Sequence, residues 1–167
     1  TVICEDIWQS GGPVSQIASH NVDLTLVLNG SPFERSKTDT RLELVSELAS
    51  NQSTAVAYVN LVGGQDDLVF DGNSFLIDAG GQEIARAKQF DTDLLVVEIE
   101  SKNVIKPVTE STSTQTDLAQ VWNALVLGVR DYVRKNGFKS VVLGLSGGID
   151  SAVCASIAVD SIGAKNV

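Results

Sequence analysis

Ser140-Val141-Val142-Leu143-Gly144-Leu145-Ser146-Gly147-Gly148-Ile149-Asp150-Ser151 is the stretch from which the fold is read. The apolar, β-branched run 140–145 has the length and composition of a buried strand. Ala152, Val153, Ala155, Ile157 and Ala158 then continue at helical spacing, so Asp150-Ser151 opens a helix. A strand that passes through Ser-Gly-Gly into a helix N-terminus gathers backbone N–H groups and a positive dipole end in one small volume, which suits an anion. Ser146 and Ser151 add hydroxyl donors at the two ends of the loop, and Asp150 adds a carboxylate able to hold Mg²⁺ against the same anion. A glycine turn with serine as helix cap is the plain alternative. All of the loop's positions match in strand-to-helix context, which favours the anion site. The Walker ending Gly-Lys-Ser/Thr is missing, and no lysine lies in the loop.

Working back from this loop, Val121, Trp122, Leu125, Val129 and Val133 repeat every three or four residues, a helix that Asp117 is placed to cap and Gly137 to stop. The segment 101–117, with Ser, Thr, Lys, Asn and a proline, has the composition of a connection. The boundaries are therefore drawn as 1–100, a first domain; 101–118, a linker; and 119–167, the start of a second. In the first, strands are expected at 1–4, 22–28, 55–62, 74–78, 83–88 and 94–99. Gly63-Gly64 is expected to end the strand at 55–62. A short helix is expected at 13–20, and Leu42, Val45, Leu48 and Ala49 mark a longer one over 37–52. The fold class is α/β.

Composition narrows the classes. Of 167 residues, 43% are hydrophobic and 20% charged, a mixture able to bury a core. Twelve basic against 21 acidic residues give a net charge of −9, which opposes a nucleic-acid partner. The imbalance is confined to residues 1–118, with 7 basic and 18 acidic side chains, whereas 119–167 carry 5 and 3. No apolar run reaches the length of a membrane span and no exported leader is visible, so a soluble cytoplasmic protein is expected. Cys4 and Cys154 lie in different segments and suggest neither disulfide nor zinc site. Cys4 follows a short strand directly, where a thiol is exposed to substrate at the turn into a loop. A free cysteine is otherwise usually a small buried hydrophobe, the reading given to Cys154. His20, Asp66-Asp67, Asp91, Asp93 and Trp122 are read as solvated, capping or packing residues.

The loop Ser146-Gly147-Gly148-Ile149-Asp150-Ser151 resembles the SGGxDS loop of the ATP pyrophosphatases. Independently, Cys4-Glu5-Asp6-Ile7-Trp8, Asn29-Gly30-Ser31-Pro32-Phe33, Asn60-Leu61-Val62-Gly63-Gly64-Gln65-Asp66 and Phe70-Asp71-Gly72-Asn73-Ser74 resemble the nitrilase-like, carbon–nitrogen hydrolase glutaminase domain of the glutamine-dependent NAD synthetases. The two resemblances together span nearly the whole chain. They imply part of an α-β-β-α nitrilase-like sandwich, followed by the first β-loop-α of a Rossmann-like ATP-pyrophosphatase domain. The implied activity is amidation of nicotinate adenine dinucleotide to NAD, with glutamine as nitrogen source and ATP cleaved to AMP and pyrophosphate. By the same resemblance Cys4 is the nucleophile, Glu5, Ser31 and Lys37 contact glutamine, Ser146, Gly147, Gly148, Asp150 and Ser151 hold ATP, and Asp150 holds Mg²⁺. The family's glutamate and lysine partners of the thiol are expected upstream of Thr1, and the family's members assemble into homo-oligomers. The chain alone is thus expected to be inactive. A stand-alone nitrilase-type amidase and a non-catalytic scaffold are the rival readings.

Overall fold

The computed structural model describes residues 1–9, 11–101 and 104–167. Its centre is a five-stranded sheet in the order β1-β2-β3-β6-β7, formed by β1 (Val2–Ile3), β2 (Leu24–Asn29), β3 (Ala55–Asn60), β6 (Phe75–Ile77) and β7 (Glu83–Arg86). The first three strands run parallel, with Val2 opposite Val27 and Val27 opposite Tyr58; β6 and β7 continue the sheet antiparallel. Parallel neighbours need a crossover, and helix α1 (Lys37–Gln52) supplies it between β2 and β3. Its buried stripe of Thr38, Arg41, Val45, Leu48 and Ala49 packs on the inward side chains Val27, Val56, Tyr58, Phe75 and Ile77.

The other face of the sheet is apolar too. Leu26, Leu28 and Val59 are 38, 47 and 46% exposed. A strand apolar on both sides, such as Leu24-Thr25-Leu26-Val27-Leu28, is made for burial between two layers. Helix α1 and the sheet thus present one α and one β layer of the expected sandwich, with a second apolar face ready for the next sheet.

A separate hairpin, β4 (Val62–Gln65) and β5 (Leu68–Asp71), carries helix α2 (Asp117–Lys135), and α2 in turn packs on helix α3 (Ile149–Ile162). The glycines at 63 and 64 lie inside β4 and do not end a strand. A Cβ on Gly64 would stand 3.1 Å from the Cα of Gly128 on α2, so backbone-to-backbone approach explains the small residues there.

Several expectations are corrected. Residues 13–20 form two 3₁₀ turns, Gly12–Gln16 and Ala18–His20, and no α-helix; positive φ at Gly11, Gly12 and Asn21 confines the segment on both sides. The strand expected at 94–99 is shifted to β8 (Val97–Ser101) and pairs with β9 (Val104–Pro107), which lies in the stretch read as a connection; Lys102 and Asn103 of that stretch lie outside the described residues. Asp117 does not cap α2: Thr116 holds the cap position without a side-chain bond, while Asp117 accepts hydrogen bonds from Arg35. The run 140–145 pairs with no strand among the described residues, and Val142 is 97% exposed. Strand propensity describes a side-chain surface, and a ladder exists only where a partner backbone meets it.

Candidate functional site

The parallel strands β1, β2 and β3 end at one edge of the sheet, and their carboxyl ends deliver Cys4, Asn29 to Ser31, and Asn60 to the same place. Open α/β sheets bind ligands at this edge. Cys4 leaves β1 with φ +39° and starts a 3₁₀ turn, Cys4–Ile7. A non-glycine residue in left-handed backbone is strained, and such strain concentrates where a side chain must be aimed. The Asp6 carboxylate accepts from the Ile3 N–H at 2.8 Å, and the Trp8 N–H donates to the Glu5 carbonyl at 3.0 Å, which fixes the turn. The thiol is half-buried.

Cys4, Glu5, Trp8, Ser31, Pro32 and Lys37 line one pocket of about 290 Å³. The four positions singled out for thiol chemistry and glutamine contact are therefore brought together, although 33 residues of sequence separate Cys4 from Lys37. Lys37 donates to the Glu34 carboxylate at 2.5 Å, and that hydrogen bond, with the lysine's charge, holds the Glu34 carboxyl below its usual range.

Sequence reasoning missed what holds this pocket. Ser31 is 4% exposed; its N–H donates to Asn60 Oδ1 at 2.9 Å and its carbonyl accepts from Asn60 Nδ2 at 3.2 Å. Arg41 Nη2 donates to the Ser31 carbonyl at 2.9 Å, the Ser31 hydroxyl at 3.0 Å and the Pro32 carbonyl at 2.8 Å. Arg41 Nη1 reaches both carboxylate oxygens of Asp71, at 2.8 and 3.1 Å, and the pair is 2% and 0% exposed. The signal for Arg41 was its position four residues before Val45, a charge on the helix's buried stripe. Tyr58, stacked on Phe75 at 4.9 Å, is buried in the same niche, and its hydroxyl has Ser31 beside it without hydrogen-bond geometry. Burial pushes the Tyr58 hydroxyl pKa up, against the pull of the Arg41 charge.

The glycine loop is a different kind of place. Residues 146–150 are exposed, and Gly147 takes φ +86° with open space where a Cβ would point. The Ser146 and Ser151 hydroxyls lie 3.1 Å apart, the Ser146 N–H donates to Ser151 Oγ at 3.3 Å, and the Gly148 N–H donates to Ser146 Oγ at 3.4 Å. Ser151 Oγ donates to the Gly148 carbonyl at 3.0 Å. The two hydroxyls thus lie beside the first turn of α3, to which Asp150 belongs. The donor set fits an anion such as a phosphate chain.

The β4–β5 hairpin connects the pocket to α2. The Phe33 N–H, two residues past Ser31, donates to the Val69 carbonyl of β5 at 2.7 Å. On the opposite strand the Gly64 N–H donates to Asp131 of α2 at 2.8 Å, and Lys135 donates to the Gly64 carbonyl at 2.5 Å. Elsewhere, His20 sits 2.8 Å from the Gln16 carbonyl through Nδ1, and Trp122 donates to Asp160 at 2.9 Å, tying α2 to α3. Cys154 is exposed, so packing does not account for it. Among the described residues there is no cluster of three or more metal-ligating side chains, and no helix is long and apolar enough to cross a membrane.

The family model described as carbon–nitrogen hydrolase matches residues 1–106, well over half of the chain. The chain belongs to the carbon–nitrogen hydrolase family. Beyond that hydrolase region, residues 121–167 match the model described as NAD synthase, so the thiol pocket and the glycine loop fall in two separately matched regions. Over 99% of its length the chain is 44% identical to the glutamine-dependent NAD(+) synthetase of Acinetobacter baylyi and 45% identical to that of Xylella fastidiosa strain Temecula1. It spans only 30 and 31% of those two proteins. Among solved structures, a glutamine-dependent NAD+ synthetase from Acinetobacter baumannii in complex with ADP superposes with a TM-score of 0.91 at 46% identity, covering 99% of this chain and 32% of that one. The hydrolase sheet and the glycine loop are therefore homologous, as one continuous stretch, to a part of these synthetases.

Proposed function

We propose that the whole protein makes NAD by amidating nicotinate adenine dinucleotide, drawing ammonia from glutamine at Cys4. The observation that carries this reading is the presence, in one chain, of a thiol-lined pocket in the hydrolase region and an open phosphate-type loop in the synthase region. The Cys4 sulfur attacks the glutamine side-chain amide, a thioester forms, and ammonia leaves; water then releases glutamate and restores the thiol. Glu5, Ser31 and Lys37 hold glutamine, with the ammonium of Lys37 and the hydroxyl of Ser31 as donors to its oxygens. In the second region ATP activates the nicotinate carboxylate as an adenylate with loss of pyrophosphate, and ammonia displaces AMP. Ser146, Gly147, Gly148, Asp150 and Ser151 grip the pyrophosphate portion of ATP through backbone N–H and hydroxyl donors. Mg²⁺ bound by Asp150 would neutralise charge on those phosphates, since this ion is usually held by one or two carboxylates plus phosphate oxygens.

We draw the domains as 1–100, 101–118 and 119–167, place the protein in the cytoplasm as a homo-oligomer without nucleic-acid or membrane partners, and assign turnover to the whole protein, not to this chain alone. The test is Cys4→Ala in the full-length protein, which should lower glutamine-driven NAD formation at least about a thousandfold, as loss of a nucleophile does, and leave ammonia-driven formation in place. Equal loss with both nitrogen sources contradicts the assignment.

A further inference from the structure

Ser31 faces the thiol pocket with a single hydroxyl proton, and where that proton points decides what the pocket accepts. We propose that Arg41, held by Asp71, is a positioning residue that fixes Ser31 as a hydrogen-bond donor into the pocket, so that the pocket selects an amide carrying a second acceptor group such as a carboxylate. This rests on the glutamine-hydrolysing reading above.

The argument is geometric. A guanidinium stays protonated and only donates. With Arg41 Nη2 donating to Ser31 Oγ at 3.0 Å, one lone pair of that oxygen is occupied and the hydroxyl proton is left for an acceptor. The same nitrogen shares its two hydrogens with the Ser31 and Pro32 carbonyls as well, while Asn60 holds the Ser31 N–H and carbonyl, so the backbone that carries the hydroxyl is held in place. Asp71 balances the charge from the other side of the guanidinium and is itself fully buried. Arg41 Nε has no hydrogen-bond partner among the described residues, so the group is oriented toward Ser31 and Asp71 at the expense of its third edge. A planar fork spans both partners at once, and a lysine ammonium does not.

The experiment measures glutamine-driven kinetics in the full-length protein for Arg41→Lys and for the paired Arg41→Met/Asp71→Leu, the latter chosen because replacing both members of a buried ion pair by apolar residues commonly preserves folding. Thermal melting checks the fold. KM for glutamine should rise about tenfold in both variants with kcat little changed, the pattern of lost substrate binding. Ser31→Ala should also raise KM, and adding Arg41→Lys to it should raise KM by much less than the single change does, because the arginine acts through the serine hydroxyl. A glutamine-driven protein whose KM ignores the folded variants, or in which the Ser31 and Arg41 effects multiply fully, overturns the inference alone. A protein that makes NAD from ammonia but never from glutamine overturns the function reading, and this inference with it.

Discussion

The thiol pocket and the glycine loop are built in opposite ways. The pocket is assembled from distant residues: Arg41 reaches Asp71 and Ser31, Asn60 reaches Ser31, and all four are buried. Every bond within the loop spans at most five residues and lies at the surface. One site needs the fold to exist, whereas the other needs only two glycines and a helix start. Damage to the pocket's supports should therefore register in stability as much as in activity, and damage to the loop chiefly in activity.

The largest expected effect comes from Asp71→Ala, which leaves the Arg41 guanidinium buried without its counter-charge. Breaking one side of such a pair costs about 3–5 kcal/mol, read as a fall in the denaturant midpoint of the full-length protein; a midpoint shift no larger than that of a surface change would mean the pair does not hold the pocket. Next, Gly147→Val puts a β-branched residue at φ +86°. Space is open there, so backbone strain is the only fault. We expect a loss of about a hundredfold in NAD formation, the size of a removed oxyanion-type donor, equal for glutamine and ammonia and with a fall in the midpoint well below that of Asp71→Ala. A loss confined to the glutamine-driven reaction would break the division between the two regions.

The smallest effect concerns the exposed pair that bridges the regions, Arg35 and Asp117, bonded at 3.2 and 2.5 Å. The Arg35 hydrogen bond, ahead of its charge, pulls the Asp117 carboxyl pKa down. A depressed carboxyl contributes stability above its unfolded pKa and loses it as pH falls through the folded value. Asp117→Asn should thus lower the midpoint slightly near neutral pH at low salt and approach the unchanged protein as pH falls through the folded value of Asp117, or in molar salt. A difference that persists in acid would point to a role other than the ion pair.

This contrast also explains what the sequence made legible. The loop, α1 and α2 could be read because their determinants are adjacent or at helical spacing, and α1 matches residue for residue at Lys37–Gln52. Cys4, Ser31 and Lys37 were reached through family resemblance, and the fold supplied the reason they meet, since parallel strands end at one edge. Arg41 and Asp71 were not reached: a charge on a buried helix face becomes meaningful only with its partner, and that partner lies 30 residues away. The β8–β9 hairpin was hidden for a related reason, because Val104-Ile105-Lys106-Pro107 is too short and polar-flanked to stand out from a connection. The run 140–145 departs from expectation the other way: it has the composition of a strand but meets no partner strand among the described residues, only a bond from the Val141 N–H to the Asn166 carbonyl at 2.9 Å.

The central claim, that Cys4 sits in a glutamine pocket while Cys154 is only an exposed thiol, is met most directly by treating the full-length protein with an electrophilic glutamine analogue and mapping the labelled cysteine by mass spectrometry. Exposure alone favours Cys154. The account predicts label on Cys4, protection by excess glutamine, and loss of glutamine-driven NAD formation with ammonia-driven formation retained. Label on Cys154 in preference to Cys4, or labelling of Cys4 that glutamine does not slow, would contradict it.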